Sequence, residues 1–203
     1  MQKEQISFTS GGKIRDLGEM LSKIGLDQSE EVYRHLLKGE HLSIQNFANL
    51  LGKSASESEE ILSLHGEVNE LNQIVGFLGI SLIETNHKMI VDGITIYTWC
   101  AADTFIFPRY LDFTAQVESK DPISGEIVKL SVNGDYLEWT DPVPLYISSM
   151  DMADSCDIRN SFCNHTHFFV SKENANLWLE NNPEGKISLL EDFISFSGGS
   201  RCC

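Results

Sequence analysis

The chain is poor in basic residues, and it lacks a long apolar run. Its 203 residues include 15 Lys and Arg against 30 Asp and Glu, which gives a formal net charge of -15. Because such a charge repels phosphate backbones and anionic lipid surfaces, we expect neither nucleic acid nor a membrane as a partner. The longest apolar run, residues 74–83, is too short to span a bilayer, and residues 1–10 have no signal-peptide core. We therefore predict a cytosolic protein.

Proline and cysteine are also scarce. With five Pro, five Cys and 41% hydrophobic residues, the composition is typical of one compact domain, or of one core with a small appended module. The odd number of cysteines lacks the regular spacing of a disulfide framework, so we expect free thiols in a reducing compartment.

The first part of the chain has the apolar spacing of short helices. Helices are predicted over residues 14–24, 29–38, 43–51 and 57–64. Either Ser54 or Ser56 is expected to cap the last of them, with Glu59 in the capping-box position after Ser56. The series suggests a helix-turn-helix-like module, but its last helix opens Ser-Glu-Ser-Glu-Glu, which is unsuited to reading DNA. We interpret the module as structural rather than as part of a transcriptional regulator.

From about residue 75 the pattern changes to short strands and turns, and Asp92-Gly93 is a strong hairpin signal. Strands are predicted over 88–91, 94–99, 114–118, 127–132, 136–139, 145–149 and 163–170, and helices over 153–161 and 173–181. The predicted class is α+β, with an N-terminal helical helix-turn-helix-like module followed by a mostly antiparallel β core with flanking helices. The predicted units are a helical module (1–80), an α+β core (81–195) and a flexible tail (196–203).

Cys100 directly follows a predicted strand and precedes a predicted helix. The helix dipole and unpaired N–H groups at such a position favour the thiolate. Asp103 lies three residues later, on the same helix face, so a nucleophilic thiol and a proton carrier could share one small site. The alternative is a buried core cysteine with an acidic residue in the first helical turn.

Cys163, His165 and His167 would point to one face if residues 163–170 form a strand. This pattern invites a soft-metal site, although the close ligand pairs of structural zinc sites are absent from the sequence. The alternative is a pair of core histidines beside a buried thiol. Cys156 has the pattern of a packing residue. Cys202 and Cys203 follow a Ser-Gly-Gly-Ser tether and could capture a soft metal ion, or belong to a tail without a role.

Residues 97–108 read Tyr-Thr-Trp-Cys-Ala-Ala-Asp-Thr-Phe-Ile-Phe-Pro. This segment resembles the signature of the organomercurial (alkylmercury) lyases, Tyr-x-Trp-Cys-Ala-x-Asp-Thr-x-x-Phe-Pro. A second block, residues 158–169, reads Ile-Arg-Asn-Ser-Phe-Cys-Asn-His-Thr-His-Phe-Phe and is similar to the same family. The chain departs from the family at Asn164, where another Cys is frequent, and in its terminal Cys202-Cys203 pair.

The resemblance implies protonolysis of a carbon–mercury bond, which yields a hydrocarbon and Hg(II). It assigns the two essential cysteines to Cys100 and Cys163 and the essential acid to Asp103, with all three near mercury. We hypothesise that Cys100 binds mercury first, and that Asp103 moves the Cys163 proton to carbon. No organic cofactor is implied, whereas cellular thiols are expected to remove Hg(II). We hypothesise that Cys202 and Cys203 assist this release, and by analogy mercuric reductase is a candidate recipient.

Three other functions remain open at this point. A non-catalytic protein that sequesters Hg(II) or another soft metal would use the same cysteines but leave the carbon–mercury bond intact. A transcriptional regulator would have no need of Asp103. A cysteine hydrolase would require a histidine beside Cys100, and the sequence provides no reason to place one there.

Overall fold

The computed structural model describes residues 6–7, 18, 21–22, 25–134, 136–150 and 158–196. Cys156, Cys202, Cys203 and most of the helix predicted over 14–24 lie outside these ranges. The helices are α1 (Glu30–Leu37), α2 (Ile44–Leu51), α3 (Ala55–His65), α4 (Asp103–Leu111), α5 (Ile158–Ser161), α6 (Lys172–Asn181) and α7 (Leu190–Phe196). The strands are β1 (Ile6–Ser7), β2 (Gly66–Val68), β3 (Ile74–Phe77), β4 (Ile80–Ser81), β5 (His87–Val91), β6 (Ile94–Thr98), β7 (Thr114–Lys120), β8 (Ile127–Asn133), β9 (Tyr136–Asp141), β10 (Tyr146–Ser149), β11 (Phe168–Phe169) and β12 (Lys186–Leu189).

The strands form two sheets. The larger has nine strands in the order β1-β9-β8-β7-β5-β6-β4-β3-β2, and the smaller has three in the order β11-β10-β12. Neighbouring strands in both sheets run antiparallel. Together with the helices before and between them, these sheets confirm the predicted α+β class.

The helical module has caps that its sequence encodes. Ser43 accepts a hydrogen bond from the Asn46 N–H at the start of α2. The capping box of α3 is formed by Ser54 and Glu57, and the prediction of Glu59 in that role is wrong. The Ser-x-x-Glu spacing occurs at Ser54 and again at Ser56, and the helix begins two residues earlier than the second copy requires.

The sheet begins earlier than the sequence pattern indicates. The helical module is predicted to extend to residue 80, but β2, β3 and the turn before β4 lie within it. All four residues of β3 are buried, and a short, fully buried apolar run has no period that separates strand from helix. The boundary predicted at residue 80 consequently falls inside β4, and one continuous core includes side chains of α1, of the large sheet and of α7.

The predicted hairpin between β5 and β6 is confirmed. Asp92 and Gly93 both have positive φ, at 50° and 81°, and Val91 pairs with Ile94 across the turn. Two positive φ values are typical of a type I′ turn, whose twist matches that of the strands. This hairpin brings the end of β6, and with it the residues that follow Thr98, to the middle of the large sheet.

The strand predicted over 163–170 is wrong except at Phe168–Phe169. Cys163–His165 forms a 3₁₀ turn instead. The Thr166 hydroxyl donates to the Phe162 carbonyl, and the Thr166 N–H donates to the Cys163 carbonyl. Because these local bonds close a turn, the expected common face of Cys163, His165 and His167 does not exist.

Candidate functional site

Cys100 lies between β6 and α4 and is fully buried. The Thr98 hydroxyl donates to the Cys100 carbonyl at 3.0 Å, and the Cys100 N–H donates to the Asp103 carboxylate at 3.1 Å. Asp103 therefore accepts from the backbone just before its own helix. These bonds fix the positions of the thiol and the carboxyl relative to each other.

Asp103 is 8% exposed and packs against the turn between β3 and β4. Gly79 in that turn has a φ of +113°, and a Cβ there would lie 3.0 Å from the Asp103 carboxylate and 2.8 Å from the Phe107 ring. The missing side chain at Gly79 thus makes the room in which the carboxyl lies.

Cys163 is brought to the same place by the 3₁₀ turn before β11. The Ala101 N–H, next to Cys100, donates to the Thr166 carbonyl at 3.0 Å and joins the two cysteine segments directly. Ser148 of β10 holds this 3₁₀ turn through two hydrogen bonds. Its hydroxyl donates to the His165 carbonyl at 2.7 Å and accepts from the His167 N–H at 2.9 Å. The small sheet therefore positions the second thiol.

The ligand atoms of Cys100, Asp103 and Cys163 all lie within 4.8 Å of one another. Both thiols are free and buried. The structure thus brings together the three residues selected from the sequence. This group, as the described ranges present it, contains neither His165 nor His167, so the metal site suggested by the alternating Cys and His pattern does not form.

Burial controls the protonation of the site. It raises the pKa of the Cys100 thiol well above its usual value, and the hydrogen bond with Cys163 and the nearby Asp103 act in the same direction. The expectation that this position favours the Cys100 thiolate is wrong, because burial disfavours the charged form and raises the pKa of the thiol. Burial also raises the pKa of Asp103 to about 7, although hydrogen bonds with Cys100 act to lower it. Near neutral pH this carboxyl is therefore divided between its acid and its base form.

A pocket of about 600 Å³ opens on the Cys163 side of the group. Cys163 and Trp99 line it, whereas Cys100 does not. Arg159 stacks over the Trp99 ring at 4.5 Å and pairs with Glu67 at 2.6 Å. The thiol of Cys163 is accordingly the one nearer to solvent.

Two histidines also line this pocket, which we call the Cys163 pocket. His87 contacts the Ser119 hydroxyl at 2.7 Å, and burial lowers its pKa to about 3, with His167 adding to the effect. Burial also lowers the pKa of His167. Both rings are therefore neutral near pH 7, and they stack with 6.1 Å between centroids.

Sequence reasoning missed several residues around the site. Gly79 follows Leu78 in a turn where both have positive φ, and the Leu-Gly pair within an apolar run was the available signal. Arg159 lies inside the second signature block, but received no role. Ser148, His87 and Lys120 have no local signal, because only the pairing of distant strands brings them to the site.

The fold and the site together define a class: an antiparallel α+β protein that holds two buried thiols and a carboxylic acid within 4.8 Å of one another, a set suited to a soft metal ion and to proton transfer. Residues 80–199 match the sequence model of the family described as alkylmercury lyase. The chain is 36% identical over 174 residues to the alkylmercury lyase of Bacillus cereus, covering 83% of this chain and 79% of that protein. It is 32% identical over 183 residues to the alkylmercury lyase of Staphylococcus epidermidis, covering 87% and 82%. This chain belongs to the alkylmercury lyase family.

A solved structure agrees with this assignment at the level of the fold. The mercury-bound form of MerB2 superposes with a TM-score of 0.76 at 24% identity, over 91% of this chain and 95% of that chain. No helix in the described part of this chain has the length and apolar character needed to cross a membrane.

Proposed function

We propose that this enzyme cleaves the carbon–mercury bond of alkyl- and arylmercury compounds by protonolysis, with Cys100 and Cys163 as mercury ligands and Asp103 as the proton carrier. The observation that carries the assignment of roles is the convergence of three ligand atoms within 4.8 Å. Thiolate is the softest ligand that a side chain offers to a soft cation such as mercury. A carboxyl that is half ionised near pH 7 can both accept and donate a proton.

The burial of the two thiols supports a revised order of events. Cys163 lines the open pocket, whereas Cys100 is fully buried. Cys163 therefore binds the organomercurial first, and its proton leaves with the thiol that carried the substrate. The Asp103 carboxylate, which is hydrogen-bonded to Cys100, then takes the Cys100 proton as that thiolate binds mercury. Protonated Asp103 transfers this proton to carbon, the hydrocarbon leaves, and Hg(II) remains between two thiolates.

The proposal also covers the cofactor requirement, the release of Hg(II) and the location of the enzyme. The three side chains supply both ligands and the proton, so the scheme requires no organic cofactor. Two cellular thiols then displace Hg(II), with Cys202 and Cys203 as candidates for assisting. Mercuric reductase is the candidate recipient by analogy. We propose a cytosolic location, because reduced thiols are kept available there.

The competing function is sequestration of Hg(II) by the same thiol pair. The position of Asp103 favours catalysis, since a binding site for a dithiolate metal gains nothing from a buried acid whose burial raises its pKa to about 7. The two functions differ in whether a hydrocarbon is released.

Phenylmercury with excess thiol tests the proposal, with benzene and Hg(II) measured by chromatography. Wild-type protein should release benzene, and Cys100→Ala and Cys163→Ala should not. Cys156→Ala is the matched control and should keep the activity. Mercury bound by wild-type protein without benzene would instead establish sequestration.

A further inference from the structure

Arg159 lies one turn before Cys163 and lines the same pocket. It belongs to α5, and the Phe162 N–H donates to the Ile158 carbonyl at 3.0 Å, so α5 leads directly into the turn that carries Cys163. The proposed reaction assigns no role to this arginine, although its side chain joins the segments of the two thiols.

The guanidinium of Arg159 contacts two different segments. It lies over the Trp99 ring, 4.5 Å from the ring centroid, and Trp99 is the residue before Cys100. Its Nη1 donates to Glu67 Oε1 at 2.6 Å, and Glu67 belongs to β2 at the edge of the large sheet. A planar guanidinium is suited to stacking on a ring while it binds a carboxylate. These two contacts attach α5 to the large sheet and to the segment of the first thiol.

Glu67 is placed to hold this arginine. Its side chain is 10% exposed, and its Oε2 is buried without a hydrogen-bond partner in the described part of the chain. Glu67 pairs with Gly76 of β3, and a Cβ at Gly76 would lie 2.9 Å from the Glu67 carboxyl carbon. The glycine therefore leaves the room in which the carboxylate lies. Because a buried carboxylate is costly unless it is paired, the bond to Arg159 differs from an exposed surface ion pair.

Two contacts thus join the segments of the thiols, one on each side. After the thiols, the Ala101 N–H donates to the Thr166 carbonyl at 3.0 Å. Before them, Arg159 stacks over Trp99. The backbone bond is available to nearly any sequence, whereas the stack depends on the arginine side chain. Loss of Arg159 would therefore remove the attachment that precedes the thiols.

We propose that Arg159 is a positioning residue, which holds the turn of Cys163 beside Cys100 so that both thiols bind one mercury ion. The inference rests on the proposed function, because it concerns the metal ligands of that reaction. Two thiols fixed close together act as a chelating site, in which the second bond to the metal forms at a high effective concentration. Arg159 acts through Trp99 and Glu67 rather than on the reacting atoms.

The affinity for Hg(II) tests this role independently of bond cleavage. Mercuric chloride is titrated in competition with dithiothreitol, and every protein carries Cys156→Ala, Cys202→Ala and Cys203→Ala, which leaves the two thiols of the site. Arg159→Gln should raise the apparent dissociation constant roughly tenfold, because part of the effective concentration is lost. A smaller fraction of folded protein would instead lower the number of sites and leave this constant unchanged.

Arg34→Gln is the matched control, because it removes an ion pair with Glu30 that is also 2.6 Å long but lies on α1. It should keep the wild-type constant. Glu67→Gln should weaken binding less than Arg159→Gln does, and the two changes together should weaken it no further than Arg159→Gln alone, because Glu67 acts through the arginine. An unchanged constant in Arg159→Gln, an equal change in Arg34→Gln, or losses that add would overturn the inference.

The double variant also covers the case in which Arg159→Gln does not fold. It leaves no buried carboxylate unpaired, and it should bind Hg(II) roughly tenfold more weakly than wild type. Wild-type affinity in the folded double variant would exclude a positioning role for Arg159.

Cleavage of phenylmercury provides a second readout. Arg159→Gln should release benzene at least about tenfold more slowly than wild type, because misplaced reacting groups cost rate. Arg159→Lys keeps the charge without the planar guanidinium and should have an intermediate rate. A wild-type rate in Arg159→Gln would contradict the inference. Failure of the proposed function has a different signature, because wild type would then release no benzene while the mercury affinities still decided the role of Arg159.

Discussion

Asp103 is an acid in a position where its charge is costly. Burial raises its pKa to about 7, and the structure provides no positive partner for it among the interactions that shift this pKa. Tyr33 of α1, which is fully buried nearby, has its own pKa raised by burial and further by Tyr110 and Asp103. Such a carboxyl lowers the stability of the fold when it is ionised, but it can accept and donate a proton near neutral pH.

Asp103→Asn should abolish carbon–mercury cleavage, with a loss of at least about 100-fold, and keep Hg(II) binding. Relative to wild type, the stability of this variant should rise as the pH increases from about 4 to about 7, by at most about 1.4 kcal/mol per pH unit, because the folded Asp103 pKa is about 7. The sign follows because the folded pKa lies above the unfolded value, so wild type loses stability as pH rises through this range. Benzene release and urea unfolding at both pH values measure the two effects.

Undiminished cleavage by Asp103→Asn would exclude the proton relay. A stability difference that does not change with pH would show that the carboxyl has its ordinary pKa. Both readouts are needed, because loss of cleavage with retained Hg(II) binding tests the proton relay, while the dependence of stability on pH tests the raised pKa on which the relay depends.

At the scale of elements, the turn between β3 and β4 and the segment after β6 form one unit. The backbone N–H of Trp99 donates to the Gly79 carbonyl at 2.8 Å, so the turn is bound to the residue before Cys100. Leu78 and Gly79 both have positive φ, which permits the chain to reverse directly beneath Asp103. The large sheet therefore contributes the floor of the site as well as the first thiol.

Gly79→Ala should destabilise the fold by about 1–3 kcal/mol and strongly reduce cleavage. Its Cβ would meet both Phe107 and Asp103, at 2.8 and 3.0 Å. Gly93→Ala is the matched control, because Gly93 also has a positive φ (+81°) but no atom lies within 4 Å of its Cβ position. It should lose stability while cleaving at the wild-type rate. Equal activity losses in the two variants would contradict the proposed contact with Asp103.

On the scale of the whole molecule, the site joins two sheets. Cys100 follows a strand of the large sheet, and Cys163 belongs to a turn that Ser148 of the small sheet supports. A metal ion between the thiols would connect segments that are about 60 residues apart in the chain. Because Hg(II) would bind both thiols only in the folded protein, its binding should increase the free energy of unfolding.

Hg(II) should accordingly raise the melting temperature of wild-type protein. At a free concentration 100 times the dissociation constant, the stabilisation is about 2.7 kcal/mol. Cys163→Ala should show a clearly smaller shift, because one thiolate cannot bridge the sheets, while Cys156→Ala should match wild type. Equal shifts in Cys163→Ala and wild type, measured by calorimetry, would rule out a bridge through Cys163.

The sequence alone determined the features that depend on neighbours along the chain. The Asp92-Gly93 turn and the helix that starts at Ser43 are local, and the structure confirms them. Cys100 and Asp103 are also close through a local contact, although not on a shared helix face: α4 begins at Asp103, and the Cys100 N–H before the helix donates to the Asp103 carboxylate.

Tertiary structure decided what local patterns could not. Burial, rather than the position before the helix, raises the pKa of Cys100, because desolvation depends on all the groups that pack around the sulfur. The approach of Cys163, the room above Gly79 and the lining of the Cys163 pocket all arise where distant segments meet. Sequence therefore determined which residues could take part in the chemistry, and packing decided where they lie and which of them carries a proton.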